Sequence, residues 1–177
     1  MPPPIKVSLL PHDPRWTKSA TAEAELLTKA IGPALLTVHH VGSTAIPGIH
    51  AKPVLDLMPV VGELAALDGR QPEMEAAGYE GWGELGLPGR RYYTKTDSVS
   101  GLRLIQLHCY EFGSAEIVRH IAFRDYLRAN PDLAADYDRV KVHCRGLHPD
   151  DSHAYGDCKS KWITAVEADA LHWYRSR

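Results

Sequence analysis

Apolar residues recur at two different spacings along this chain, and each spacing predicts a type of secondary structure. Asp13-Pro14 is a typical helix start, a capping side chain followed by proline at the first helical position. Up to Gly32-Pro33, the apolar residues then recur at helical spacing: Trp16, Ala20, Ala24, Leu27 and Ile31. We therefore predict a helix here, preceded by a short strand or an extended arm at residues 5–10.

Two apolar strands follow, separated by a turn of small residues. The first covers about residues 35–41 and leads into Gly42-Ser43, and the second covers residues 53–61. In the second strand the period is two, and apolar residues occupy both faces. This pattern predicts a central strand that is covered on both sides. Pro59 predicts either a bulge in that strand or its end.

The middle of the chain combines a broken helix, a loop and a hairpin. Residues 63–77 have a helical pattern that is interrupted at Gly69 and Pro72. Residues 81–91 are rich in glycine without the GxGxxG spacing, which favours a mobile loop over a dinucleotide site. Residues 91–96 and 102–110 then alternate as two strands of a hairpin.

The last third is predicted to be helical. One helix starts at Ser114 and stops at Asn130-Pro131, and a second covers residues 133–144. After a polar turn at residues 146–153, a third helix continues from Tyr155 to Trp173. With no internal repeat or linker, residues 1–177 are predicted to form a single α+β domain with a helical C-terminal part.

Composition and charge narrow the class of protein. The chain has 177 residues, a formal net charge of −2 and no long apolar run. We therefore expect no membrane span and no secretory signal, and the charge makes a nucleic acid an unlikely partner. Three cysteines without CxxC spacing favour reduced thiols and a cytoplasmic location.

The candidate ligand-binding residues lie in the turn between the two apolar strands and in the second strand itself. Gly42 allows a close approach of the backbone to a ligand, and the N–H groups of such a turn together with the Ser43 hydroxyl can hold a phosphate. Asp56 lies in an apolar strand, so its carboxylate must be paired, hydrogen-bonded or bound to a ligand. The alternatives are a tight turn without a ligand, and a structural ion pair of Asp56 with Lys52, Arg91 or Arg103.

The stretch from His40 to Leu57, HVGSTAIPGIHAKPVLDL, resembles the GrpB (UPF0157) family. Further similar pieces occur along nearly the whole chain: Pro11–Trp16, Pro88–Tyr92, Leu107-His108, Phe123–Arg128 and the pair Tyr155 and Lys159. The resemblance implies a nucleotidyltransferase-like mixed β-sheet with flanking helices. It also implies an activity known mainly by inference from the fold, and some relatives are fused to dephospho-coenzyme A kinase.

Enzymes of this fold hold two metal ions about 4 Å apart with carboxylates at positions i and i+2 of one strand and a third carboxylate from a neighbouring strand. Here Asp56 is the first, but Met58 takes the second position and the candidate neighbouring strand offers Gln106 and His108. A single divalent metal (Mg, Mn or Zn) on Asp56 and His108, with His40 as a further ligand, is the remaining metal hypothesis. The alternative for His108 is a hydrogen-bonded histidine that lines a pocket.

Basic residues occur where an anionic substrate would need them. We predict phosphate or nucleotide contacts for Lys52, Arg90, Arg91 and Lys159, although exposed basic residues are common on any surface. His143, His148 and His153 do not share a helix face and are not predicted to bind metal.

Three functions are consistent with this sequence. The first is transfer of a nucleotidyl or phosphoryl-containing group, with Asp56 as the catalytic residue and an incomplete set of metal carboxylates. The second is a non-catalytic module that binds a nucleotide, a coenzyme A precursor or another phosphorylated small molecule. The third is a hydrolase with a single metal ion. Fold alone does not choose among them.

Overall fold

The computed structural model describes residues 1–177 as a five-stranded sheet with helices on both faces. The strands are β1 (Leu35–Val41), β2 (Leu55–Val61), β3 (Tyr79–Gly81), β4 (Arg90–Thr96) and β5 (Arg103–Glu111). The helices are α1 (Arg15–Ile31), α2 (Leu64–Asp68), α3 (Gln71–Ala76), α4 (Ala115–Ala129), α5 (Pro131–Leu147) and α6 (Ser152–Arg175). The α+β class predicted from the sequence is confirmed.

The sheet is mixed, with the strand order β1-β2-β5-β4-β3. Strands β2 and β5 are parallel, and the other neighbouring pairs are antiparallel. In this register Asp56 lies between Val41 of β1 and Gln106 of β5. The sequence-based prediction that the strand with Gln106 and His108 lies next to Asp56 is therefore confirmed.

Alternation along the strands sends their side chains into two separate cores. The odd positions of β2 and β5, such as Leu57 and Leu107, pack with Leu27 and Ile31 of α1. The even positions face α4, where Met58 and Tyr110 pack with Val41. Burying a large apolar side chain of this kind stabilises the fold by about 1.5–3 kcal/mol. Asp56 has an even number, so its carboxylate is on the α4 side of the sheet.

The C-terminal helices enclose the loop between β1 and β2. Ile46 and Ile49 of that loop pack with Leu127 of α4 and Tyr137 of α5. Residues 5–10 form an extended arm rather than a strand, with one isolated bridge between Leu10 and Ala51. None of the helices is both long and apolar enough to span a membrane.

Two expectations about the strands are corrected. Strand β2 continues through Pro59, which pairs with Val38. The irregularity lies in β1, between Leu35 and Thr37, opposite Val60 and Val61. The short strand β3 was not predicted, because three residues are too few to show an alternating pattern. It pairs with β4 and leaves only residues 82–89 between the two strands.

The expectation of three reduced thiols is also wrong. Cys144 and Cys158 form a disulfide bond between α5 and α6, with their Cα atoms 5.8 Å apart. Cys109 is free and buried. The sequence could not show this pairing, because it depends on how the two helices pack against each other. The cytoplasmic location stays a prediction.

Reduction of this disulfide bond is expected to lower the free energy of unfolding by about 3 kcal/mol, because the bond closes a short loop in the unfolded chain. Denaturant unfolding with and without a reducing agent measures the change. Thiol titration of the denatured protein serves as the control, with one reactive thiol before reduction and three after it. Three thiols before reduction would show that the bond does not form.

Candidate functional site

A cavity of about 290 Å³ lies between the even-numbered face of the sheet and helices α4 and α6. Six of the residues predicted for the site line it together: Gly42, Ser43, Lys52, Asp56, His108 and Lys159. The loop after β1, the sheet and the last helix each contribute to this set. The fold thus brings together side chains that are more than a hundred residues apart.

Gly42 packs directly against the Asp56 carboxylate. Its φ of 69° and ψ of −171° belong to a region that is essentially reserved for glycine. A Cβ atom at this position would overlap Oδ2 of Asp56 and lie 2.9 Å from the Asp56 Cβ atom. A side chain at position 42 is therefore excluded twice, by the backbone conformation and by the carboxylate.

The turn after Gly42 is fixed at both ends by helix α4. Arg124 donates a hydrogen bond to the His40 carbonyl at 2.9 Å, and Arg128 donates one to the Ala45 carbonyl at 2.7 Å. Within the turn, the Ile46 N–H donates to the Ser43 carbonyl at 3.2 Å. The Ser43 hydroxyl makes no hydrogen bond to the protein and lines the cavity, so it is free to contact a ligand.

The Asp56 carboxylate can be reached from the cavity. Its side chain is 29% exposed, and its Oδ1 atom lies 3.5 Å from Nε2 of His108. Burial by itself raises the pKa of Asp56, but the neighbouring His108 ring and the charge of Lys52 lower it below the ordinary value. No lysine or arginine nitrogen lies within 4.0 Å of this carboxylate, so the alternative of a structural ion pair is not what the structure shows.

Two lysines share the ring of Tyr155. The Nζ atoms of Lys52 and Lys159 lie 5.8 and 5.1 Å from the ring centroid. Lys95 and Lys141 form ion pairs, whereas neither Lys52 nor Lys159 has a carboxylate oxygen within 4.0 Å. Two ammonium groups therefore line one small cavity without a direct ion pair to a carboxylate.

The environment affects the two ammonium groups in opposite directions. Burial lowers the pKa of Lys52, and the charge of Lys159 lowers it as well, against the opposing effect of Asp56. Burial also acts to lower the pKa of Lys159, but Tyr137, Tyr155 and the charge of Asp56 outweigh it and raise the pKa above the ordinary value. The surroundings of Lys159 therefore favour its charged form.

Helices α4 and α6 add residues that sequence reasoning missed, Arg119, His120 and Glu167 among them. Arg119 is neutralised by Glu116, at 2.7 Å, and by Glu167. The His120 ring donates from Nδ1 to the Glu116 carbonyl at 2.8 Å, and burial is the main reason that its pKa is lowered to about 4. His120 follows Ile117 by three residues, a spacing that could have placed it on the inner face of the helix.

Arg90, Arg91 and His40 do not line the cavity. Arg91 pairs in register with Cys109 on the opposite face of the sheet and binds Asp68 at 2.7 Å. The Arg90 guanidinium donates to the Leu85 carbonyl at 2.8 Å. The ring of His40 contacts the Thr44 hydroxyl. Phosphate binding by the two arginines stays a prediction, and it would need a ligand that extends beyond the cavity.

The donor set does not fit a two-metal centre. No three His, Cys, Asp or Glu side chains of the chain come together in a way that could hold a metal ion. Met58 occupies the second carboxylate position and is fully buried. The neutral side chain of Gln106 lies beside Asp56 on β5. A single metal on Asp56 and His108 stays a prediction.

Comparison with known proteins agrees with the fold and with the resemblance seen in the sequence. The GrpB protein family model matches residues 6–169. The UPF0157 protein YqkA of Bacillus subtilis is 37% identical over 175 residues, which are 99% of this chain and 50% of YqkA. This chain thus spans about half the length of that relative. A dephospho-CoA kinase of Mycolicibacterium paratuberculosis is 31% identical over 189 residues, covering 94% of this chain and 46% of the kinase.

Solved structures give the same result at the level of the fold. A crystal structure of the conserved protein GrpB from Enterococcus faecalis superposes with a TM-score of 0.87 and 38% identity over 94% of this chain and 99% of the other. Cid1 in complex with its short product ApU superposes with a TM-score of 0.53 and 17% identity over 78% of this chain and 43% of Cid1. At that identity the Cid1 match shows the nucleotidyltransferase-like fold alone.

Proposed function

The chain belongs to the GrpB family, and we propose that it binds a phosphorylated small molecule of the nucleotide class in the cavity between Gly42 and Lys159. The observation that carries this proposal is the pair of lysines without a carboxylate partner, Lys52 and Lys159. Holding two like charges beside one ring in a partly buried site is unfavourable unless an anion lies between them. A phosphate group would supply that anion.

The remaining lining suits the other parts of such a ligand. The Ser43 hydroxyl can donate to phosphate oxygens. Apolar side chains, among them Phe123 and Ile163, offer a surface for the part that carries no charge. The cavity volume of about 290 Å³ lies just below the range of about 300–1,000 Å³ for small-molecule sites, which favours one small ligand over a pair of substrates.

Relatives suggest which ligands to test. A mycobacterial protein named dephospho-CoA kinase contains a segment similar to this chain. That name adds dephospho-coenzyme A and coenzyme A to the nucleotides as probes. The segment covers less than half of that protein, so its named activity is not transferred to this chain.

A second candidate function is group transfer or hydrolysis at a bound phosphorylated ligand. The observation that favours it is the contact between Asp56 and His108 inside the cavity. An ionised carboxylate can accept a proton from an attacking hydroxyl group, and a neighbouring imidazole can donate a proton or orient that hydroxyl. Turnover of the bound ligand by the natural chain, absent in Asp56→Asn, would establish this function.

The binding proposal is tested by thermal shift and calorimetry with ADP, ATP, dephospho-coenzyme A, coenzyme A and inorganic phosphate. At least one phosphorylated probe is expected to raise the melting temperature, because a ligand that binds only the folded state stabilises it. Adenosine, which lacks the phosphate, is the matched control and is expected to have no effect. If no phosphorylated probe binds with a dissociation constant of about 1 mM or lower, the proposal is wrong.

A further inference from the structure

We infer that this cavity binds its phosphate group without a divalent metal ion, because Lys52 and Lys159 supply the positive charge that the metal ions supply in nucleotidyltransferases. This inference rests on the proposed function. It adds that two side chains, Lys52 and Lys159, neutralise the charge of the phosphate, which bound cations usually do in proteins of this fold.

Strand β2 lacks the second carboxylate of a two-metal centre. Met58 lies two residues after Asp56 on the same face of β2, where a second metal-binding carboxylate would have to be. It is fully buried and packs with Val41 and Tyr110. A buried thioether cannot replace a carboxylate toward Mg²⁺, which requires hard oxygen ligands.

The neighbouring strand β5 has an amide where a third metal-binding carboxylate would lie. Gln106 pairs with Asp56 in the register of β2 and β5 and lines the cavity. Its amide makes no hydrogen bond to the protein, so it is free to contact a ligand, but it adds no negative charge. The sheet therefore presents one carboxylate where a two-metal centre has three.

The charges that line the cavity favour an anion near the two lysines. Lys52 and Lys159 have no carboxylate oxygen within 4.0 Å, whereas Arg119 is paired with Glu116 and Glu167. An incoming divalent cation would be repelled by the two ammonium groups. A phosphate group without bound metal retains its full negative charge and gains most from the two lysines. We therefore expect metal-free ADP to bind better than its magnesium complex.

Calorimetry of ADP binding to the natural chain tests this inference, first with EDTA and then with excess magnesium chloride. The affinity for ADP in EDTA is expected to exceed the affinity in magnesium chloride several-fold. Binding that is found only with magnesium, or that EDTA weakens tenfold or more, would overturn the inference and leave the proposed function intact. Absence of ADP binding in both solutions, together with absence of binding by the other phosphorylated probes, would refute both.

The variant Gln106→Glu gives an independent test, because residue 106 is partly exposed and the change leaves the core untouched. It adds a carboxylate beside Asp56 and reduces the net positive charge. ADP binding by this variant is expected to be weaker in EDTA than in magnesium chloride, opposite to the natural chain. If magnesium changes the ADP affinity of both proteins equally, the number of carboxylates beside the cavity does not determine whether the site needs a metal ion.

Discussion

Gly42→Ala is expected to lower the free energy of unfolding by about 4 kcal/mol and to abolish ligand binding. The new Cβ atom would overlap the Asp56 carboxylate, and the backbone would have to leave its glycine-specific conformation. Either the turn or the carboxylate must move, and both line the cavity. Denaturant unfolding and calorimetry with the ligand identified above measure the two effects.

Gly48→Ala is the matched control, because Gly48 also has a positive φ, of 80°, but no atom lies within 4 Å of a Cβ at that position. For this variant we expect only the cost of the unfavourable backbone conformation, a decrease of about 1–2 kcal/mol in the free energy of unfolding, and unchanged ligand binding. Equal losses of stability in the two variants, with binding retained in both, would show that the contact of Gly42 with Asp56 is unimportant.

Lys159→Met is expected to weaken binding of the phosphorylated ligand by about 10- to 100-fold, because a charge-assisted hydrogen bond contributes about 1.5–3 kcal/mol. Methionine keeps the apolar stem of the side chain and removes the charge. The change relieves the repulsion of Lys52 but also removes the contacts of the Lys159 ammonium group with the Tyr137 hydroxyl and the Tyr155 ring, so the free energy of unfolding is expected to change little. Calorimetry measures the affinity, and urea unfolding measures the stability.

Lys161→Met is the control for this change, since Lys161 is an exposed residue of the same helix and does not line the cavity. Its affinity is expected to equal that of the natural chain. If Lys159→Met binds as tightly as Lys161→Met, the pair of lysines is not the binding determinant and the proposed function loses its main support.

Much of the cavity could be predicted from the sequence because local patterns determine it. The period of two in β2 places Asp56 on one face, and the same period in β5 places Gln106 and His108 on the corresponding face. Gly42 and Ser43 follow directly from the strand that ends before them. To predict that these residues lie together, only the pairing of β2 with β5 had to be correct.

The rest depends on packing between distant parts of the chain. Arg119 and His120 reach the cavity because α4 lies across the sheet, an arrangement that no local pattern shows. Arg91 was expected near the ligand, but the register of β4 and β5 turns it to the other face, where Asp68 is its partner. The disulfide bond between α5 and α6 has the same origin in tertiary structure.

Arg124 and Arg128 of α4 bind the carbonyl groups of His40 and Ala45, so a helix some eighty residues later sets the shape of the loop that would contact the phosphate. Lys159 comes later still in the chain. A fragment that stops after the sheet would retain the conspicuous sequence motif and lose the site. We therefore expect that a part of this chain retains the cavity only if it includes the whole segment from β1 through α6.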